Sequence, residues 1–251
     1  MLVIKYGGNA MTDPDARREV TAVFAEFAAA GEQPIIVHGG GPYIATALDK
    51  EGLESRFVRG LRVTTKESID LIERELTLLN KYLSQAVGNA VGLTGRDAQL
   101  IKAEPFDAKL GLVGRVTNIN TELLRSLLAQ NITPVLTCLA ASETGTLLNV
   151  NADEVAGAVA GALKIPILFL SNVAGVLDNS EDKTSLMLEL SATDIKERIQ
   201  DGRIAGGMIP KVEAALYALE RGAAYAVIAN GESAEAVRRA QALKGGTRIV
   251  A

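Results

Sequence analysis

A mixed α/β fold built on a mainly parallel sheet is what the sequence predicts, and three features predict it. The run Ile35-Ile36-Val37 is short and wholly apolar, the kind of strand buried on both faces of a parallel sheet. Gly39, Gly40, Gly41 and Pro42 follow almost at once, and a proline suits the first turn of a helix, where its missing N–H is not needed. The first 52 residues alternate strand, helix, strand, helix, which calls for parallel strands covered by helices. Such a turn leaves backbone N–H groups facing an anion. A tight turn that binds nothing carries the same signature.

Composition narrows the class. At 251 residues the chain can form one large domain or two small ones sharing a cleft. Apolar residues make up 48% and charged ones 22%, in the range of soluble globular proteins. A net charge of −4, with no basic run or aromatic ladder, argues against nucleic acid as a partner. The apolar runs are strand-sized, so no membrane span is expected, and the expected compartment is the cytoplasm. Cys138 has no second cysteine to pair with and lies in an apolar run, which reads as core. With one histidine besides, no Cys/His metal site is expected.

Residues 2–6 form the first predicted strand, ending in Gly7-Gly8. Asp13 and Pro14 start a helix carrying Val20, Val23, Phe24 and Phe27, closed by Gly31. The strand of residues 35–37 follows, then a helix with Ile44, Ala45 and Leu48 on one face. Thr64 with Glu67 reads as a capping box. It opens a long helix whose stripe runs Ile69, Ile72, Leu76, Leu79, Leu83 and Val87; that stripe fits either core or a subunit interface. Residues 89–93, 99–102 and 112–116 read as hairpin strands at one rim of the sheet. A helix over 121–130 and a strand over 134–139 come next, and Asn151 caps a helix through Val155, Val159 and Leu163. Strands over 165–170, 224–229 and 247–250 are expected, with Ser191 and the segment 206–211 each starting a helix. The only seam the composition suggests is near residue 165.

Several polar residues sit where chemistry is possible. Lys5 ends an apolar strand directly before two glycines, and a lysine there must reach water or an anion. Lys211 follows Gly206-Gly207 in the first turn of a helix, where a cation opposes the dipole unless an anion is bound there. Asn149, Asn151 and Asp153 cluster at another helix start, where plain capping would also explain the last two. Arg62 stands just ahead of the predicted Thr64 cap, and its fork suits a carboxylate, although an exposed structural arginine fits the spacing equally. Two glycine turns, two lysines and an acid suggest phosphoryl transfer, where charge neutralisation carries much of the catalysis. The P-loop pattern G-x-x-x-x-G-K-[ST] is absent, so a different kinase architecture is implied.

Seven stretches in order, from end to end of the chain, carry a family resemblance: Ile4-Lys5-Tyr6-Gly7-Gly8-Asn9-Ala10, Val37-His38-Gly39-Gly40-Gly41, Gly60-Leu61-Arg62-Val63-Thr64, Asn149-Val150-Asn151-Ala152-Asp153, Leu170-Ser171-Asn172-Val173-Ala174-Gly175-Val176-Leu177, Gly207-Met208-Ile209-Pro210-Lys211-Val212 and Gly246-Thr247-Arg248-Ile249-Val250. With them the chain resembles the amino-acid kinase superfamily, and within it the N-acetylglutamate kinases. The resemblance implies a three-layer αβα sandwich with a central, mainly parallel sheet and two lobes: residues 1–165 for acetylglutamate and 166–251 for ATP. It implies transfer of the γ-phosphoryl of MgATP to the side-chain carboxylate of N-acetylglutamate, in arginine biosynthesis.

By the same resemblance, Lys5 and Lys211 stabilise the moving phosphoryl and Asp153 orients both. Gly8 and Gly40 offer backbone N–H groups. Gly40, Gly41 and Asn149 hold acetylglutamate, with Arg62 on its α-carboxylate. Asn172, Val173, Ala174, Gly175, Val176 and Leu177, with Arg203, Ile204 and Ala205, line the nucleotide site. Magnesium rides on ATP phosphates and water with no protein ligand. Asn172 departs from the family, where aspartate is frequent; it is similar in this to kinases of lysine synthesis acting on an acetylaminoadipate-type substrate. A non-catalytic sensor on the same fold is the reading from another class, and the presence of Lys5, Lys211 and Asp153 speaks against it. Arginine-inhibited hexameric members carry a helix ahead of the first strand. Here that strand starts at Leu2, so a homodimer that arginine does not inhibit is expected, with the Ile69–Val87 stripe as its interface.

Overall fold

The apolar runs of the sequence become the strands of one large sheet. A computed structural model describes residues 1–179 and 181–251. The chain opens with β1 (Leu2–Tyr6), α1 (Pro14–Ala29), β2 (Pro34–His38) and α2 (Gly41–Lys50). A small hairpin, β3 (Phe57–Val58) and β4 (Leu61–Arg62), leads to the long α3 (Lys66–Val87). Then come β5 (Ala90–Leu93), β6 (Ile101–Pro105), β7 (Gly114–Ile119), α4 (Thr121–Ala129), β8 (Thr133–Thr137), β9 (Leu139–Ala141), β10 (Leu147–Asn149) and α5 (Ala152–Leu163). The remainder is β11 (Ile167–Ser171), β12 (Glu189–Ser191), α6 (Ala192–Gln200), α7 (Ile209–Glu220), β13 (Ala226–Asn230), α8 (Ala234–Gln241) and β14 (Thr247–Val250).

Eight strands form the central sheet in the order β12-β14-β13-β11-β1-β2-β8-β5, and the β13–β14 pair is its antiparallel exception. The sheet passes the seam at residue 165 without a break, because β11 pairs directly with β1. Successive side chains of a strand face opposite sides, and the core divides accordingly. Leu2, Ile4 and Tyr6 pack with Val20, Phe24 and Phe27 of α1 and with Val237 of α8. Val3, Ile35 and Ile167 pack on the opposite side with α5 and α7, through residues such as Val159 and Ala215. Lys5 shares its face with Val3. The period of two therefore aims it at the α5 layer.

Local signals place several helix starts. The Asp13 carboxylate accepts the N–H groups of Asp15 and Ala16, and Asn151 accepts that of Asp153. Ser191 forms a reciprocal box with Asp194.

The α3 start differs from expectation by one residue. Its cap is Thr65, boxed with Ser68, whereas Thr64 is wholly buried, with Arg62 and Asn149 as its side-chain partners. The β3–β4 hairpin displaces the chain: Thr64 N–H donates to Leu110 O, and Thr64 O accepts from Leu112, so Thr64 belongs to the loop–sheet junction.

The segment 89–116 also departs from the expected run of hairpins. β5 is a parallel edge strand of the main sheet, paired with β8. Only β6 and β7 form a hairpin, and with β9 and β10 they build a separate four-stranded sheet. Gly92 in β5 leaves room for α3, since a Cβ there would stand 1.8 Å from Asn80 Oδ1.

The α3 stripe is core, which corrects its assignment to an interface. Ile69, Ile72, Leu76, Leu79, Leu83 and Val87 are all buried within the chain's own hydrophobic clusters. The large hydrophobics that this helix exposes are Leu78 and Tyr82. No helix among the described residues is long and apolar enough to cross a membrane.

Candidate active site

Three strands end level with one another. Tyr6 of β1 pairs with His38 of β2 and with Leu170 of β11, so the turns that follow, at Gly7, Gly39 and Asn172, open on one rim. The carboxyl ends of parallel strands are where open α/β sheets hold ligands. Gly39 N–H donates to Tyr6 O at 3.3 Å, and a Cβ on Gly7 would stand 3.4 Å from Gly39 N, so the two glycine turns abut.

Lys5 Nζ lies 3.0 Å from Asp153 Oδ1 in the first turn of α5. The lysine side chain is 14% exposed and the carboxylate 34%, so the pair is sheltered yet open on one side. The first turn of α5, which carries Asp153, is tied to its surroundings at several points. Asn151 caps the Asp153 N–H, Glu154 beside it accepts the Val116 N–H at 2.8 Å, and Arg221 Nη2 donates to Val116 O at 2.7 Å. Burial pushes the Glu154 carboxyl above the usual range, against the pull of the Val116 N–H.

The pair stands in a cleft of about 400 Å³ lined also by Gly8, Asn172 and Lys211. Lys211 does not touch Asp153. Its ammonium donates instead to Gly207 O at 3.1 Å, one turn back along its own chain. Asn172, expected with the nucleotide loop, lines this central cleft.

A smaller cleft of about 170 Å³ flanks the pair on the β2 side, lined by Gly40, Gly41, Arg62, Cys138 and Asn149. Arg62 is 8% exposed, stacked 4.5 Å from the Phe57 ring centre. Its Nη2 donates to Gly41 O at 3.0 Å, and Nη1 donates to Ser55 Oγ. Burial lowers its pKa, but a guanidinium stays charged at neutral pH. Asn149 Nδ2 donates to Thr64 Oγ1 at 3.0 Å. The Cys138 thiol is pushed up to about 11 by burial, so it stays protonated as core.

On the other side lies a cleft of about 580 Å³, lined by residues 173–177 and 203–206 with Lys183 and Met208. The site residues named from the sequence thus fall into three adjoining clefts along one rim.

Residues 1–230 match the profile of the amino acid kinase family. The chain belongs to that family. The acetylglutamate kinase of Deinococcus radiodurans is 50% identical to it over 250 residues, 99% of this chain and 100% of that one. The acetylglutamate kinase of Methanocaldococcus jannaschii is 40% identical over 251 residues, 92% of this chain and 83% of that one. A solved structure from Streptococcus mutans UA159 superposes with a TM-score of 0.80 at 30% identity, covering 99% of this chain and 98% of its own.

Two further parts of this kinase site escape a reading by local pattern. Thr247 Oγ1, wholly buried in the last strand, accepts the Val176 N–H at 2.7 Å and donates to Met187 O at 2.6 Å. It thereby holds the 173–177 loop, where a Cβ on Gly175 would stand 2.6 Å from it. The second part is His38, which is wholly buried, with Nε2 3.0 Å from Asn80 Nδ2 and Nδ1 2.9 Å from Gly39 O. Only the motif match Val37-His38-Gly39 signals it in the sequence.

Burial drives the His38 pKa down to about 4 from 6.5, against the pull of the Gly39 carbonyl. Above pH 6.5 the ring is neutral in both folded and unfolded chains and has no effect on pH dependence. Between pH 6.5 and about 4 the unfolded chain takes up a proton that the folded one refuses, so stability falls as pH falls. The expected loss across that window is on the order of 3 kcal/mol. Urea unfolding at pH 7 and at pH 4.5 should show a smaller acid loss for His38→Asn than for the wild type, and equal losses would refute the assignment.

Proposed function

We propose that the chain transfers the γ-phosphoryl group of MgATP to the side-chain carboxylate of N-acetyl-L-glutamate, forming N-acetylglutamyl 5-phosphate in arginine biosynthesis. The observation that carries this reading is the Lys5–Asp153 pair facing Lys211 in a cleft between the small Arg62 site and the larger 173–177 site. The lobe of residues 1–165 takes acetylglutamate and that of 166–251 takes ATP. Support comes from the lining of the flanking clefts, drawn from residues 39–152 on one side and 173–208 on the other.

The small cleft suits an acylated amino diacid. Arg62 presents a fixed fork to the α-carboxylate, while Gly40, Gly41 and Asn149 supply polar groups around the chain. The side-chain carboxylate then points to the centre. There its oxygen attacks the γ-phosphorus as the bond to the β-phosphate oxygen breaks, and ADP leaves. Lys5 and Lys211 neutralise charge on the transferring group, and Gly8 and Gly40 aim N–H groups at it. Such fixed donors cost no reorganisation during the step. Asp153 holds Lys5 in place. Lys211 can leave the Gly207 carbonyl for a phosphate oxygen, a stronger charge-assisted acceptor.

The one carboxylate among the central-cleft residues is Asp153, and it is already paired with Lys5. Magnesium would therefore be carried by ATP phosphates and water, where it supplies neutralising charge. We assign the reaction to the cytoplasm. We also take the functional unit to be a homodimer, the commonest closed assembly; Leu78 and Tyr82, exposed on α3, lie outside the buried stripe.

The test is ADP release with N-acetylglutamate, N-acetyl-α-aminoadipate and glutamate side by side, with the acyl phosphate trapped by hydroxylamine. The expected order places N-acetylglutamate first by a wide margin. Preference for the longer acetylaminoadipate would move the enzyme to lysine synthesis, and no turnover with any acceptor would favour a sensor. In the active enzyme, Lys5→Ala or Lys211→Ala should lower kcat by about 10²- to 10⁴-fold with little change in KM for ATP. A Lys211→Ala enzyme with near-normal kcat would remove that lysine from the mechanism.

A further inference from the structure

We infer that His38 is a positioning residue, whose imidazole holds the Gly39 carbonyl and thereby turns the Gly40 N–H into the cleft. This rests on the reading of Gly40 N–H as a donor to the reacting groups. The argument starts away from the site. Asn80 Nδ2 donates to Val135 O of β8 at 2.9 Å. That contact fixes the amide, because the flipped orientation would set Oδ1 against the carbonyl oxygen. The same nitrogen lies 3.0 Å from His38 Nε2, and an amide nitrogen only donates. Nε2 must therefore accept, which leaves the single N–H of a neutral imidazole on Nδ1. From there it donates to Gly39 O at 2.9 Å. One backbone carbonyl of β8 thus dictates the tautomer two groups away.

The consequence for the site follows from peptide geometry. The Gly39–Gly40 peptide is trans and planar, so a carbonyl drawn to the imidazole sends the Gly40 N–H the opposite way. Gly40 lines the small cleft, and its N–H has no acceptor among the described residues. The turn leaves no room for a side chain at this position, since a Cβ on Gly40 would come within 2.6 Å of Leu76 Cδ2. His38 is wholly buried and is not among the residues that line the clefts. Its whole effect passes through one peptide plane.

Two substitutions separate the two ring nitrogens. In His38→Asn the amide nitrogen lies as many bonds from Cα as Nδ1 does, so the donor to Gly39 O is kept. In His38→Gln the terminal amide lies where Nε2 does, so the contact with Asn80 is kept and the Gly39 carbonyl loses its donor. We expect kcat of His38→Gln to fall by about 10²-fold, the effect of misplacing a group near the chemistry, with KM for both substrates changed little. His38→Asn should restore kcat to within a few-fold of wild type, although its thermal stability also drops. Equal kcat in the two variants, or losses that simply follow their Tm values, would overturn the inference. Should both variants fold poorly, the wild type decides. The chain has one histidine, so its imidazole ¹⁵N resonances need no assignment. A protonated Nδ1 with a bare Nε2 at pH 7 is the expected result, and the opposite tautomer would refute the relay. Should the wild type phosphorylate no acceptor, the proposed function fails while the tautomer still decides whether His38 holds Gly39.

Discussion

An ammonium on a buried parallel strand must be matched by an acceptor, and the site is arranged around how this chain meets that demand. Lys5 cannot turn to the α1 face, because the alternation along β1 gives that face to Ile4 and Tyr6. It meets Asp153 at 3.0 Å because β1 lies under the start of α5. An isolated ammonium so sheltered would cost several kcal/mol, and losing one partner of such a pair leaves the other uncompensated. The surroundings hold the pair in register. The Asn151 cap fixes the first turn of α5, and Glu154 on the Val116 N–H with Arg221 on the Val116 carbonyl ties α5 and the end of α7 to the second sheet.

The three clefts follow from that arrangement. Parallel strands ending at one level place the turns after β1, β2 and β11 side by side, so the central cleft has the smaller site on one flank and the larger on the other. The electrostatics differ between them. Arg62 is shielded and already stacked and hydrogen-bonded, as suits a fixed carboxylate clamp. Lys211, in contrast, sits on a neutral carbonyl of its own turn, a weaker partner than a phosphate oxygen. A charge held loosely until the ligand arrives is suited to a group in transfer.

Much of this was legible because its causes are local. The strand at 2–6, the caps at Asp13, Asn151 and Ser191, and the glycine turns are set by residues within a few positions of one another. The spacing of Thr64 and Glu67 favours Thr64 as the cap. The actual cap, Thr65, is chosen by a hairpin and by backbone bonds to Leu110 and Leu112, more than forty positions away. The strands in 89–116 could be found but not allotted to sheets, since parallel pairing with β8 leaves no local mark. The short β12 and the polar α8 carry too little apolar pattern to announce themselves. The buried polar contacts of His38 and Thr247 were invisible for the same reason. Their partners, Asn80 and Val176, lie 42 and 71 positions away.

The central claim is that Lys5 and Asp153 act as one unit in the transfer step, and a double-mutant cycle on kcat tests it most directly. Lys5→Ala, Asp153→Asn and the double variant are compared with wild type under saturating substrates. If the pair acts as a unit, the double variant is no slower than Lys5→Ala alone, because Asp153 has nothing left to position. Losses that multiply, with each variant's factor preserved in the double, would show two independent groups and contradict the account.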